Sequence, residues 1–468
     1  MVNMLEENVV IPSIDAQLRW DIRIEEAEIV SRVPSLSAPS SIPSLLLPPL
    51  CHPHMHLDKA YLLTCNKPTS HEQPDYDDLM PQSGDFKEAL TNTSAAKGRY
   101  TPEDLYLRGS QLLADSHRHG VTSMRAFVEV DVVTGFKTVE AAVRLKRDFA
   151  HLVRVQICLF AQDPIFSGDS GPRNTELLVE ALDKYADIEA LGTTPYVEAD
   201  QDAAVKNLDF AIRTAVERRL FLDFHLDYHL ETPQPPAPGS LLETLLNQLI
   251  EHQWTERASK DRQAIAIGHC TRLTTMNSSV TEGIVSLIKD NKLPVHFVGL
   301  PTSDLYMMGR PKGTELEGPS LPHSRPRGTM QIPSMIKDWG LDGCLGVNNV
   351  GNAFTPSGDG DPLQLASWGV LLYHSGTGAD AQLLYGCVSQ RARRAIGLVQ
   401  EEVLLEIPHS QDLGHDVPVP GLLVRNVEYV EVPGKTGDEH DQIRVCARQR
   451  LSVKDVVWDP PSLRHVLR

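Results

Sequence analysis

Short apolar, strand-like runs alternate with longer amphipathic stretches through most of this sequence, and that alternation restricts the fold more than any other feature. The runs are LLLPPLC (45–51), VTSMRAFVEV (121–130), LVRVQICLF (152–160), IEALGTTPYV (188–197), LFLDFHL (220–226), QAIAIGHC (263–270), PVHFVGL (294–300) and DGCLGVNN (342–349). Between them lie stretches such as PEDLYLRGSQLLADSHRHG (102–120) and DAAVKNLDFAIRTAVERR (202–219). In the second, Ala204, Leu208, Ala211, Ile212 and Ala215 recur near the helical period, which predicts a helix with one buried face. Strands alternating with helices predict a parallel sheet, and eight of them favour a closed (β/α)8 barrel. An open doubly wound sheet would place a GxGxxG turn after an early strand, and the sequence has none. No repeat at a period of about 20–50 residues is present, which excludes solenoids and propellers.

The ends read differently. Residues 1–44 and 405–468 hold short pieces rich in Val, Ile and Pro, among them WDIRIEEAEIV and VPVPGLLVRNVEYVEV. They predict a small β-sandwich domain built from both chain ends, beside a barrel spanning 45–404. Four segments rich in Pro, Gly, Ser or Asp (66–85, 163–174, 231–240 and 309–330) predict long loops after strands 1, 3, 5 and 7, hence over the barrel mouth.

Composition narrows the partners. Across 468 residues, 44 Lys and Arg stand against 62 Asp and Glu, a net charge of −18. Such a balance argues against nucleic acid or an anionic membrane, both of which need clustered cations. The apolar run Leu45–Leu50 contains two prolines and is far short of the roughly 20 residues that span a bilayer. MVNMLEENVV lacks the basic start and apolar core of a secretion signal, and seven cysteines without a CxxC pair fit reduced thiols. The expectation is a soluble cytoplasmic protein acting on a small molecule, with a homo-oligomer compatible with everything read so far.

The histidines carry the chemistry. His54 and His56 lie in HPHMHLDKA, just after the predicted first strand. Side chains two apart on an extended segment point the same way and can share one cation. His225 and His269 fall at the C-terminal ends of predicted strands 5 and 6, and such ends converge on one mouth of a barrel. His117 and His119 instead close a predicted helix and read as surface residues.

PHMHLDK, DFHLDYH, AIGHCTRL and GVNNVGNAF, in this order and spacing, resemble the amidohydrolase superfamily of metallo-dependent hydrolases, and within it the cytosine-deaminase-like branch. The resemblance covers about residues 15–460. It implies a distorted (β/α)8 barrel, one divalent metal ion (zinc first, with iron or manganese as alternatives) and hydrolysis of a C–N bond in a ring or amide. It implies that His54, His56 and His225 bind the metal and that His269 polarises the substrate or its leaving group. Gln162 matches a glutamine that hydrogen-bonds the substrate ring, and Lys59 is the lysine of the HxHxDK signature.

The departures from that pattern matter as much. Asn348 stands where the family ends strand 8 with a metal-binding, proton-accepting aspartate. An amide can offer its carbonyl oxygen to a cation but cannot accept a proton at neutral pH. Tyr228 stands where the deaminases carry a proton-shuttling glutamate, and a phenol with a reference pKa of about 10 is poorly matched to that task. Asn349 replaces a second, substrate-contacting acid. The combination of HLDY and VNN resembles a subgroup found among fungal members of the superfamily.

Proton transfer is therefore expected of Lys59 or Asp227, alongside His269. Asp227 is either a base or the orienting partner of His225, and Lys59 is either a base or the ion-pair partner of an acid such as Asp58 or Asp227. Gln162, Tyr228 and Asn349 are expected to contact substrate. The expected activity is hydrolysis of a cyclic amide, amidine or lactam other than cytosine. A lyase, decarboxylase or isomerase on the same barrel, or a catalytically silent binding protein, are the alternatives.

Overall fold

Pro48 and Pro49 split the first apolar run in two. Neither can donate a ladder hydrogen bond, so Ser44–Leu47 and Leu50–His56 become separate strands in different sheets. The predicted first strand at 45–51 is thereby corrected: the first barrel strand starts at Leu50 and carries His54 and His56 within it. These features come from a computed structural model that describes residues 4–26, 28–36, 42–65, 74–230, 240–309, 328–398, 421–435 and 442–467.

From Leu50 onward eight parallel strands follow in chain order, each bonded to the next. They are Leu50–His56, Val121–Glu129, Arg154–Ala161, Ile188–Thr193, Phe221–Leu226, Ile265–His269, Val295–Gly299 and Asp342–Leu345. Residue 348 returns to the first strand: the His56 amide donates to the Asn348 carbonyl at 3.0 Å, and the Asn348 amide donates to the His54 carbonyl at 3.1 Å. This pairing brings the eighth strand back to the first, as expected for a (β/α)8 barrel.

The helices form where the apolar period predicts them. Pro102–Arg118 starts at Thr101, whose side chain accepts from the Asp104 amide, and Gln201–Arg218 starts at Asp200, which accepts from Ala203. Both caps satisfy amides that a helix start leaves open. Ala204, Leu208, Ala211, Ile212 and Ala215 are buried as the sequence predicts. Inside the barrel, below the mouth, Phe127, Cys158, Phe160, Ala190 and Phe221 pack into one apolar cluster.

The chain ends meet in one six-stranded sheet, in the order His465–Leu467, Gly421–Val424, Ser44–Leu47, Met4–Ile11, Asp15–Glu25, Glu28–Pro34. Strand alternation gives this sheet two apolar faces. Val10, Leu45, Leu47, Leu422 and Val424 join the main core, while Val9, Ile11, Leu46 and Leu423 pack with Trp20, Ile22 and Ile24 in a separate cluster. No second sheet of comparable size faces it among the described residues; the hairpin Tyr429–Pro433 with Gln442–Cys446 is largely exposed. Of the four expected loops, 163–174 is described, and it gives way to the helix Gly171–Lys184. Residues 66–73, 231–239 and 310–327 of the other three, and 405–420 of the terminal segment, lie outside the described residues. Among the described residues no helix is long and apolar enough to cross a membrane.

Candidate active site

The first barrel strand aims His54 and His56 inward, and the fifth brings His225 against both. The His225 Nε2 lies 2.9 Å from His54 Nε2 and 3.2 Å from His56 Nε2. Two nitrogens bound to one tetrahedral zinc at 2.0–2.1 Å sit about 3.3 Å apart, so the three imidazoles fit a shared cation. Burial, reinforced by neighbouring cations and imidazoles, holds all three well below the usual histidine range, which keeps them in the neutral, ligating form. Behind them, Asp223 Oδ1 faces His54 Nδ1 at 3.8 Å, and neither atom has a hydrogen bond among the described residues. Asp223 also pairs with buried Arg125 at 2.8 Å. Burial pushes its carboxyl up to about 7 against that pull.

A chain of hydroxyls fixes which end of the Asn348 amide faces this cluster. Thr355 Oγ1 donates to the Phe354 carbonyl at 2.8 Å, so it accepts from Ser303 Oγ at 2.7 Å. The Ser303 oxygen is then the acceptor for Asn348 Nδ2 at 2.9 Å. The carbonyl Oδ1 is left buried and without a hydrogen bond among the described residues. Asn348 has a φ of +71°, which an asparagine tolerates better than most residues. Asn348 lines the same pocket as His56 and His225, so this neutral oxygen is a candidate fourth donor beside three neutral imidazoles, a set that would suit zinc and also accommodate iron.

His269 ends the sixth strand, also with positive φ. Its Nδ1 meets Asp304 Oδ1 at 3.0 Å, and Thr329 Oγ1 donates to Asp304 Oδ2 at 2.8 Å. Burial raises the Asp304 pKa, and the His269 and Thr329 hydrogen bonds oppose that rise. With Nδ1 tied to a carboxylate, Nε2 is the atom His269 can offer to a reacting group. The Tyr228 ring lies on His269 with centroids 3.8 Å apart, and its hydroxyl donates to the Ser303 carbonyl at 3.2 Å. Burial pushes that hydroxyl far above its ordinary pKa, so Tyr228 is a wall and not a base.

His56, Lys59, Gln162, His225, Tyr228, His269, Asn348 and Asn349 together line one pocket, with Phe86, Tyr196, Ser303 and Phe354. His54 lies against it through His225. Asp227 is the expected site residue that the fold turns away. Its carboxylate accepts the Leu241 and Leu242 amides at 3.3 and 3.2 Å, at the start of the helix Leu241–Glu251. A carboxylate spent on helix-terminal amides is not facing a substrate, which corrects both the base and the His225-orienting readings of Asp227.

Lys59 has a partner the sequence reading missed. Its ammonium binds the Glu129 carboxylate, and both side chains are buried. The other Glu129 oxygen takes Lys97 at 2.5 Å, and Lys97 reaches Asp131 at 2.8 Å and Asp163 at 3.2 Å. Burial works against the Glu129 charge, and the two lysines outweigh it, leaving its pKa below the usual range. Arg108 holds the turn that carries Lys59 by donating to the carbonyls of Asp58 at 2.6 Å and Ala60 at 3.0 Å. Glu129 ends the second barrel strand, so the rule that singled out His225 and His269 could have found it. Asp304, in PTSDLYMMGR just past the seventh strand, is reached by the same rule, whereas nothing in the spacing marked Asn352.

No protein-family model matches the chain. In sequence it is similar to N-isopropylammelide isopropyl amidohydrolase of Pseudomonas sp. (strain ADP), at 22% identity over 371 residues, covering 79% of this chain and 79% of that protein. In fold it is similar to 5-methylcytosine deaminase from Klebsiella pneumoniae liganded with phosphonocytosine, with a TM-score of 0.69, 20% identity, and 90% and 91% of the two chains covered. It is also similar to N-isopropylammelide isopropylaminohydrolase from Burkholderia multivorans, with a TM-score of 0.63, 20% identity, and 100% and 96% covered. What the chain shares with these structures at such identity is the fold.

Proposed function

We propose that this protein is a metal-dependent hydrolase of the amidohydrolase superfamily that cleaves a C–N bond in a small cyclic amide, amidine or lactam. The observation that carries the reading is the convergence of three neutral imidazole Nε2 atoms and the orphaned Asn348 carbonyl beside His269, in a pocket at the barrel mouth. The named sequence relative and the deaminase and aminohydrolase folds are consistent with it. His54, His56 and His225, with Asn348, would hold one divalent ion, zinc first. Such an ion supplies Lewis acidity and lowers the pKa of a bound water toward about 7.

The remaining steps belong to the chain's own residues. Asp304 keeps the proton on His269 Nδ1, so Nε2 can take a proton and return it to a leaving nitrogen. Lys59 and Gln162 hold the substrate edge, and Tyr228, Phe86 and Phe354 enclose its faces. With Asn348, Asn349 and Tyr228 in place of three acids, cytosine is not a substrate. The reading includes a cytoplasmic setting and a small β domain built from both chain ends, with Ser44–Leu47 in its sheet, beside a barrel that begins at Leu50. Elemental analysis of the purified chain is expected to find about one divalent ion, lost in His225→Ala and kept in His117→Ala. Absence of metal after growth with added zinc, iron and manganese would overturn the proposal, as would ammonia release from cytosine at an ordinary turnover of roughly 1–1000 per second.

A further inference from the structure

We infer that the pocket selects rings whose edge presents hydrogen-bond acceptors, such as the carbonyl oxygens of an imide or ureide, and discriminates against rings presenting amino groups there. The inference rests on the reading above only in taking this pocket as the substrate site. Its starting point is Asn352, which is fully buried just beyond the pocket. Asn352 Oδ1 accepts the backbone amides of Phe354 at 2.9 Å and Thr355 at 3.2 Å, so the orientation of its side-chain amide is fixed. Its Nδ2 must then donate, and it does, to the Lys59 carbonyl at 3.1 Å and to Asn349 Oδ1 at 2.8 Å.

That second bond sets Asn349. With its oxygen taken by a donor, Asn349 meets the pocket through Nδ2, which has no acceptor among the described residues. Gln162 is held in the same sense. Its Oε1 faces Lys59 Nζ at 3.4 Å, so Nε2 is the free end and likewise has no acceptor among the described residues. Lys59 between them can only donate. Gln162, Lys59 and Asn349 therefore form one wall whose unpaired polar ends are N–H groups, with both amide oxygens turned to other donors. An aspartate at 349 would accept instead; an asparagine oriented by Asn352 inverts the polarity of that position.

Two consequences define the ligand. The Lys59 charge is balanced by Glu129, so neutral carbonyl oxygens satisfy the wall and no anion is required. Phe86 packs edge-on against Tyr228 and Phe354, with ring centres 5.7 and 5.9 Å apart, so one side of the pocket is aromatic surface suited to a planar ring's face. An amino group facing this wall sets donor against donor and leaves buried N–H groups unpaired, which should cost at least about tenfold in affinity.

Calorimetric titration of the full-length, metal-loaded protein with uracil and with 2,4-diaminopyrimidine, at a pH where both rings are neutral, tests this. The two rings have the same size; uracil offers two oxygens flanking an N–H, matching two of the wall's three donors and opposing one, whereas the diamine offers two amino groups flanking a bare nitrogen, matching one donor and opposing two. Uracil is expected to bind at least about tenfold more tightly, and Asn349→Asp to reduce that ratio by about tenfold. Asn352→Ala, which frees the Asn349 amide to turn, should reduce it as well. Equal affinities in the parent, a preference for the diamine, or failure of both rings to bind at millimolar concentration would overturn the inference. So would a ratio that Asn349→Asp leaves within threefold of the parent. Repeating the titration on chelator-treated protein separates the two readings: a uracil preference in a protein that never binds metal sinks the hydrolase proposal and keeps this one.

Discussion

Lys59→Met asks whether this lysine accepts a proton or is half of a buried ion pair. Lys59 and Glu129 are both about 1% exposed, so the pair is shielded from water. Removing one partner of such a pair costs about 3–5 kcal/mol, because the other charge stays buried. Here Lys97 remains 2.5 Å from Glu129 Oε2, which places the expected loss near the low end, about 3 kcal/mol. For a chain of this size that corresponds to a fall in Tm of about 3–6 °C. Glu129→Gln strands the Lys59 ammonium and removes one of the three carboxylates around Lys97, and should cost at least as much. The double variant leaves Lys97 with Asp131 and Asp163 and should melt above the sum of the single losses, with a coupling of about 1.5–3 kcal/mol. Thermal melting of the four metal-loaded proteins, with metal content measured on each, supplies the cycle. Lys59→Met melting with the parent, or strictly additive losses in the double variant, would refute the ion pair. Single-turnover rates on an identified substrate complete the test. A Lys59→Met protein that binds substrate normally but loses about a hundredfold or more in the chemical step would restore Lys59 as the base.

Four further outcomes follow from the geometry. Asp227→Ala should lower stability by about 2–3 kcal/mol while keeping metal and the chemical step, since it removes only the acceptor for Leu241 and Leu242; loss of chemistry in a folded variant would return Asp227 to the base role. Asn348→Asp should slow removal of metal by a chelator, because an anion replaces a neutral oxygen beside the three imidazoles; unchanged or faster removal would place Asn348 outside the metal's reach. Gly268→Ala would put a methyl group 2.8 Å from His54 Cε1 and should weaken metal binding about 10–100-fold, checked by competition with a zinc indicator; unchanged affinity would show that His54 has room to move. Arg464 grips Asp361 with two bonds, at 2.7 and 2.6 Å, and outweighs the burial that opposes the Asp361 charge, holding its pKa below the ordinary range. Because the folded pKa is depressed, this stability is present above about pH 4 and is lost as pH falls through the folded value, so Arg464→Met should flatten the acid limb of a melting curve; an unchanged limb would rule the pair out as its source.

The barrel was legible because its signal is periodic and local. Alternating runs and amphipathic stretches fix where strands and helices lie, and the strand-end rule brings His225 and His269 to one mouth. The same local view failed at LLLPPLC, where hydrophobicity reads as one run and the missing Pro48 and Pro49 donors divide it between two sheets. It failed again at Asp227, because the amides that claim its carboxylate begin a helix some fifteen residues later, and sequence proximity to His225 says nothing of that. Glu129 and Asp304 sit at or just past strand ends, where the strand-end rule reaches, but their partners Lys59 and His269 lie 70 and 35 residues away and spacing does not encode them. Asn352 bonds locally to the Phe354 and Thr355 amides, yet its bond to the Lys59 carbonyl spans 293 residues.

The return of residue 348 to the first strand also bears on when the proposed metal site is complete. Synthesis delivers His54 and His56 first, His225 well over a hundred residues later, and Asn348 only near the end of the barrel. Asn352, which orders the turn beside Lys59, lies 293 residues beyond it. Closing so long a loop carries an entropic cost that nothing repays until the eighth strand pairs. A chain short of closure presents at most the three histidines, and the proposed coordination set is complete only with the last step of ring closure. On that reading metal uptake is a late event that reports a finished barrel, so a cation added after refolding should load as fully as one present throughout.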